Sequence, residues 1–130
     1  MDAPREVKIA IFLSWGVVVI ETIERLWRIS NDSDARTFPR FGFIWTAVAL
    51  SSAAIVGATI FFASRRRNGG RIALLVCTLG AWSLWFLWPR TLDEYGLWQW
   101  VTYGTIVVME LVALLLLFVG PGAAWYRAAE

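Results

Sequence analysis

The sequence predicts an all-α polytopic membrane protein, an antiparallel bundle of four transmembrane helices. Of its 130 residues 58% are hydrophobic and only 17% are charged, whereas a soluble domain carries about 25% charged residues. The mean hydropathy is +0.60. The apolar residues gather in four runs separated by short polar segments, and none of the runs alternates with the period of two that membrane strands show. Helices that face lipid are therefore expected, in a single domain over residues 1–130.

The first apolar run predicts a helix over residues 7–28. It follows a polar start but lacks the small-residue cleavage site of a secretory signal, so we interpret it as a retained helix. Residues 30–40 are rich in Asn, Asp and Ser and include Pro39, a composition that favours a solvated loop. The second run, over residues 41–63, carries no charge. At about 1.5 Å per residue it extends ~34 Å, which is enough to cross a hydrocarbon core of ~30 Å.

The third and fourth runs complete the bundle. The third, over residues 72–88, follows a basic turn with two glycines and is short for a span at about 17 residues. Pro89 ends it, because proline disfavours helix at the residue before it. The fourth run covers residues 97–119 and is closed by Gly120, Pro121 and Gly122.

The arginine and lysine residues predict the orientation in the membrane. Seven lie on the side of the two termini and five on the other side, which favours both termini in the cytoplasm. The seven are Arg5, Lys8, Arg65, Arg66, Arg67, Arg71 and Arg127, and the five are Arg25, Arg28, Arg36, Arg40 and Arg90. Trp125 and Tyr126 are expected at the inner boundary, as part of an interfacial aromatic belt.

The composition excludes most catalytic and cofactor chemistry. There is no histidine, and Cys77 is the single cysteine, so imidazole haem ligation, the usual zinc sites and thiolate clusters are not expected within one chain. No nucleophile-elbow, Walker or dinucleotide-binding motif is present. The basic residues lie in short runs beside apolar segments, which argues against a nucleic-acid partner. We expect no cofactor, no metal and no enzymatic activity.

Two glutamates lie within apolar runs. Glu21 precedes Arg25 by four residues on one helix face, which predicts an ion pair. Glu110 lies near the middle of the fourth run, on a face with Tyr103, and no basic residue lies one turn away. A charged group at that depth costs about 2.5–3.5 kcal/mol, so Glu110 is expected to face the bundle interior, a partner or water.

Glu21, Arg25, Tyr103 and Glu110 therefore form the candidate intramembrane polar site. Two arrangements are open. In the first, Glu110 shares a proton with Glu21 or reaches Arg25. In the second, each glutamate has its own partner, and Glu110 is bound by a hydroxyl or a backbone carbonyl. The second arrangement is favoured.

The apolar runs hold two further patterns. Ala49, Ala53 and Gly57 form a small-xxx-small face that predicts close helix packing. Its partner is either another helix of the chain or a second protomer, and packing within the chain is favoured. Trp82, Trp85 and Trp88 could form a platform for a pigment, a quinone or a cationic ligand, but an interfacial belt with packing is the favoured interpretation.

The chain resembles uncharacterised small four-helix inner-membrane proteins of proteobacteria. The resemblance rests on the basic turn before the third run, ASRRRNGGRIAL, and on the ending VALLLLFVGPGAAWYR. It implies a compact bundle with no assigned activity. The chain differs from that family in carrying Glu21 and Glu110 where those proteins more often hold amides.

The leading functional expectation is a non-enzymatic membrane protein, either a structural bundle or a small accessory subunit of a larger membrane complex. The alternative is a small proton-coupled transporter or an oligomeric channel that uses Glu21 and Glu110. The expected partners are the lipid bilayer and either a larger complex or a second copy of the chain as a homo-oligomer.

Overall fold

The computed structural model describes residues 2–87 and 96–128, and all regular secondary structure in these residues is helical. The all-α prediction is therefore confirmed. The helices are α1 (Arg5–Asn31), α2 (Ser33–Thr37), α3 (Pro39–Ser64), α4 (Asn68–Leu87), α5 (Leu97–Phe118) and α6 (Gly120–Arg127).

The four long helices coincide with the four apolar runs, with differences at their ends. The largest difference is at α4, which begins at Asn68 and includes both glycines of the basic turn. The reason is a Schellman motif after α3, in which Arg67 N donates to Phe62 O and Arg66 N to Ala63 O, both at 3.2 Å. Arg66 adopts the left-handed φ of 60° that this motif requires, and α4 starts immediately afterwards. The expected end of this helix at residue 88 lies outside the described residues.

The segment between α1 and α3 is more ordered than a solvated loop. α1 continues to Asn31, and α2 forms a short helix in which Thr37 Oγ1 donates to Ser33 O at 2.9 Å. Pro39 lies in the first turn of α3, where its missing N–H removes no helical hydrogen bond. The prediction of a continuous loop over residues 30–40 is therefore wrong.

The helices pack in the order α4, α3, α1, α5. α1 lies against both α3 and α5, α3 lies against α4, and α4 meets α5 at few positions. The start of α1 is buried with the ends of α3 and α5 and the start of α4, which makes consecutive long helices antiparallel. This buried cluster defines what we call the closed end of the molecule. Its members are Val7, Ala10, Ile60, Leu74, Ala113, Leu117, Trp125 and Tyr126.

The C-terminal helix α6 folds back against the closed end. The chain reverses at Gly120, which has a φ of +59°, and Pro121 lies in the first turn of α6. Gly122 then lies so close to α5 that a Cβ atom would be 2.0 Å from the Leu116 carbonyl oxygen. Tyr126 is fully buried, and its hydroxyl donates to the Ala63 carbonyl at 2.6 Å. The interfacial-belt prediction for Trp125 and Tyr126 is therefore wrong, because both side chains belong to the core.

Two helices of the described chain, α3 and α5, are long and apolar enough to cross a membrane. Their outward faces carry large apolar side chains such as Phe43, Ile44 and Val108, each more than half exposed. Such surfaces are unusual on soluble monomers. The exposed apolar faces of these two helices thus point to association with a membrane.

Candidate intramembrane polar site

A cavity of about 400 Å³ lies between the four long helices. This volume is within the range of roughly 300–1,000 Å³ that small-molecule sites occupy. Its wall is largely apolar, and every one of the four helices contributes a hydroxyl or charged side chain to it. These polar residues are Ser14, Glu21, Thr22, Arg25, Ser52, Thr78 and Glu110.

The cavity exists because α4 packs along only part of its length. Gly70, Leu74 and Thr78 follow each other at four-residue spacing and are buried. Beyond Thr78, which is 7% exposed, the helix separates from its neighbours. Residues 79–84, the outer half of α4, are exposed apart from the partly buried Trp82. A seam between α4 and α5 is consequently left open beside the cavity.

Glu110 receives a hydrogen bond across this seam. The indole Nε1 of Trp82 donates to Glu110 Oε2 at 2.6 Å. Glu110 therefore has its own partner within the chain, but this partner is an indole N–H and not the expected hydroxyl or backbone carbonyl. Because the bond joins α4 to α5 where few other contacts do, it also holds the seam together.

Glu21 is paired within its own helix, as its spacing from Arg25 predicts. Arg25 Nη2 lies 3.6 Å from Glu21 Oε2, and Arg25 Nη1 donates to Ser52 Oγ of α3 at 2.9 Å. The Arg25 side chain is 44% exposed. Arg25 thus connects the Glu21 carboxylate to the facing wall while its other donors remain accessible.

The two carboxylates belong to one site. Both Glu21 and Glu110 line the cavity, and they are near enough for the charge of one to act on the other. With both carboxylates ionised and Arg25 protonated, these three groups carry a net charge of −1. One added proton makes their sum neutral.

Tyr103 lies outside the cavity that Glu21, Arg25 and Glu110 line. Its hydroxyl is 3.3 Å from both carboxylate oxygens of Glu24 and also forms a hydrogen bond with Arg28, which in turn pairs with Glu24. This network joins α1 to α5 beyond the cavity, and Tyr103 is not part of the cavity wall. Of the four residues of the candidate site, the structure brings together Glu21, Arg25 and Glu110.

The small residues of α3 lie toward the other helices of the chain. Ala49 is 4% exposed, Gly57 is buried, and Ala53 lines the cavity. A Cβ atom on Gly57 would come within 3.2 Å of the Trp15 ring, so the absence of a side chain allows α1 to approach closely. This is the kind of contact for which small-residue faces are used in membrane helices.

Sequence reasoning missed Trp82 and Ser52 as partners of the charged residues. A signal for Trp82 was present, since it continues the four-residue spacing of Gly70, Leu74 and Thr78 and so lies on the inward face of α4. Trp82 had been assigned to a belt with Trp85 and Trp88, but its indole faces Glu110. The side chains of the other two lie outside the described residues.

No group of three or more potential metal-ligating side chains occurs within residues 2–87 and 96–128. Comparison with known proteins gives no match to a family model, to a curated protein or to a solved structure. The polar cavity is accordingly the feature on which a functional proposal can rest.

Proposed function

We propose that all four long helices cross the bacterial inner membrane, with both termini in the cytoplasm. The exposed stripe on α1 supports this topology, since its members repeat every three or four residues and would face lipid. At about 1.5 Å per residue α1 and α4 reach ~40 Å and ~30 Å, so both are long enough to cross a hydrocarbon core of ~30 Å. The stripe consists of Ile9, Phe12, Trp15, Val19, Ile23 and Trp27.

Reporter fusions test the topology. Alkaline phosphatase is active only outside the cytoplasm, so a fusion after Arg127 should be inactive in a bacterial host. A fusion within residues 30–40 should be active. The reverse pattern would contradict the proposed orientation, and equal activity at both positions would contradict the three spans proposed between them, α3, α4 and α5.

We propose, as the function that the geometry supports best, that the cavity binds a small amphipathic cation and exchanges it for a proton. The observation that carries this proposal is the placement of Glu21, Arg25 and Glu110 on one apolar cavity open at the α4–α5 seam. Their net charge of −1 attracts a monovalent cation, whereas the apolar wall favours its hydrocarbon part. A proton on either carboxylate cancels the charge, so proton and cation compete for the site.

Binding of tetraphenylphosphonium, a lipophilic monovalent cation, tests this proposal. Affinity measured by calorimetry in mild detergent should fall as the pH is lowered. In Glu110→Gln and Glu21→Gln it should weaken about tenfold or more, equivalent to ~1.4 kcal/mol, and lose part of its pH dependence. Glutamine keeps the shape and an oxygen that can accept the Trp82 hydrogen bond. Glu6→Gln is the matched control, because Glu6 lies in the first turn of α1 and should bind as the parent does.

A structural or accessory role in a larger membrane complex is the second proposal. It is favoured by a shallow apolar depression on the outer face of α3, where a helix of another protein could pack. Phe43, Ile44, Ala47, Val48, Ser51, Ser52 and Ile55 line this depression. If neither glutamine variant changes cation binding, the exchange proposal fails and this role is favoured.

A further inference from the structure

Four arginines surround the turn between α3 and α4, and the structure divides them into two pairs. Arg66 and Arg71 point toward the closed end. Arg66 Nε donates to the Trp125 carbonyl at 2.8 Å, and Arg71 Nη1 donates to the Leu117 carbonyl at 3.3 Å. Their guanidinium carbons also lie over aromatic rings of the same region, Arg66 over Trp125 and Arg71 over Tyr126. This pair holds α6 against the bundle.

Arg65 and Arg67 form the second pair, and each lies over a phenylalanine ring of α3. Both are exposed, and neither takes part in the ion pairs found among the described residues, which lie within α1. The Arg65 guanidinium carbon lies 5.1 Å from the centre of the Phe61 ring, and that of Arg67 lies 5.5 Å from the centre of the Phe62 ring. Two positive charges are thus presented together without a carboxylate partner in the described chain.

The two phenylalanines fix the depth of this arginine pair. Phe61 and Phe62 are 49% and 44% exposed in the last turn of α3, a helix that can cross a membrane. In the proposed topology their rings would lie at the boundary of the hydrocarbon region, which would put the guanidinium groups beside them at the level of the lipid headgroups. Space for a ligand is available, since a Cβ atom on Gly69 would meet nothing within 4 Å.

We propose that Arg65 and Arg67 bind the phosphate of an anionic phospholipid headgroup. The residues are two positions apart, so their Cα atoms are separated by no more than ~7 Å, and both side chains can reach one phosphate. Planar guanidinium groups bind phosphate oxygens with paired hydrogen bonds, and the acyl chains of such a lipid would lie along the phenyl rings. The inference goes beyond the cavity and does not depend on what the cavity binds.

Thermal unfolding of the purified protein in mild detergent tests the inference. Phosphatidylglycerol at saturating concentration should raise the Tm of the parent by roughly 5 °C, and phosphatidylcholine should not. The R65Q/R67Q variant should lose this shift. The R36Q/R40Q variant removes two exposed arginines, Arg36 of α2 and Arg40 of the first turn of α3, and should keep it.

Several results would overturn the inference. They are an equal shift with phosphatidylcholine, a shift that survives in R65Q/R67Q, and a shift that is lost equally in R36Q/R40Q. A shift of the same size with inorganic phosphate alone would assign the pair to a free anion, and one produced only by a nucleic acid or an acidic peptide would assign it to that class of partner. If R65Q/R67Q folds poorly, R65K/R67K keeps the charge and should retain a reduced shift, so its complete loss would also contradict the proposal.

Discussion

Two adjacent glycines at the start of α4 should respond oppositely to the same substitution. Gly69 and Gly70 both lie in the first turn of a helix, where alanine has the higher helix propensity. A Cβ atom on Gly69 meets nothing within 4 Å, whereas one on Gly70 would lie 2.4 Å from Ala63 N and 2.6 Å from Phe62 C. Since these are backbone atoms of α3, no change of side-chain rotamer relieves the contact.

The two substitutions should change the free energy of unfolding in opposite directions. Gly69→Ala should stabilise the protein by about 0.5–1 kcal/mol, the usual helical preference for alanine over glycine. Gly70→Ala has the same propensity gain but forces α3 and α4 apart. Overpacking costs about 1–3 kcal/mol even where side chains can adjust, so the net loss should be at least ~1 kcal/mol. The expected difference between the variants is about 2 kcal/mol or more.

Equilibrium unfolding in mixed micelles measures this difference, with the helical signal as the readout. Gly69→Ala serves as the internal control, because it changes the same atoms one position earlier. Equal free energies of unfolding for the two variants would refute the close approach of α3 and α4 at Gly70. A destabilised Gly69→Ala would instead show that the space above Gly69 is occupied.

The remaining predictions concern three contacts. Trp82→Phe keeps an aromatic ring but removes the donor to Glu110, so the free energy of unfolding should fall by about 1–3 kcal/mol; an unchanged value would contradict the hydrogen bond. Arg66→Gly should be less destabilising than Arg66→Ala by about 1 kcal/mol, since both lose the bond to Trp125 but only glycine suits a φ of 60°. Burial raises the pKa of Tyr126 to about 12 from an ordinary value of 10.0. Because this folded-state pKa is the higher one, the contribution of Tyr126 to stability should be constant below about pH 10 and fall between about pH 10 and 12. The Tyr126→Phe variant should be less stable at neutral pH and lack this alkaline fall; if it retains the fall, another group causes it.

The positions of the long helices could be predicted because each depends on a continuous local run of apolar residues. α6 could not, since residues 120–127 form only eight helical residues with no such run. Its stability comes from contacts with distant parts of the chain, such as the bond from Tyr126 to Ala63. The same absence of a local signal explains why two aromatic residues beside an apolar helix were assigned to the membrane interface.

The candidate site was predicted in part for a related reason. The Glu21–Arg25 pair is local and follows from helical spacing, whereas the Trp82–Glu110 bond joins two helices and depends on how α4 packs. Tyr103 does share a face with Glu110, but it lies seven residues away, which separates the two residues by about 10.5 Å along the helix axis. A shared face gives the direction of a side chain and not its depth, so Tyr103 meets Glu24 instead.

The two ends of the molecule differ in what must be broken to open them. At the closed end a ligand would have to displace Tyr126 and Leu117, which are fully buried, and break the hydrogen bonds of Tyr126 and Arg66 to carbonyl groups. At the α4–α5 seam, the described hydrogen bond of the outer half of α4 to α5 is that of Trp82 with Glu110. A hydrogen bond to a charged group contributes about 1.5–3 kcal/mol net, whereas uncovering the two large side chains costs about 3–6 kcal/mol in addition to the hydrogen bonds broken there. Under the proposed topology and function we therefore expect a ligand to enter the cavity through the seam and to meet first the carboxylate that Trp82 releases.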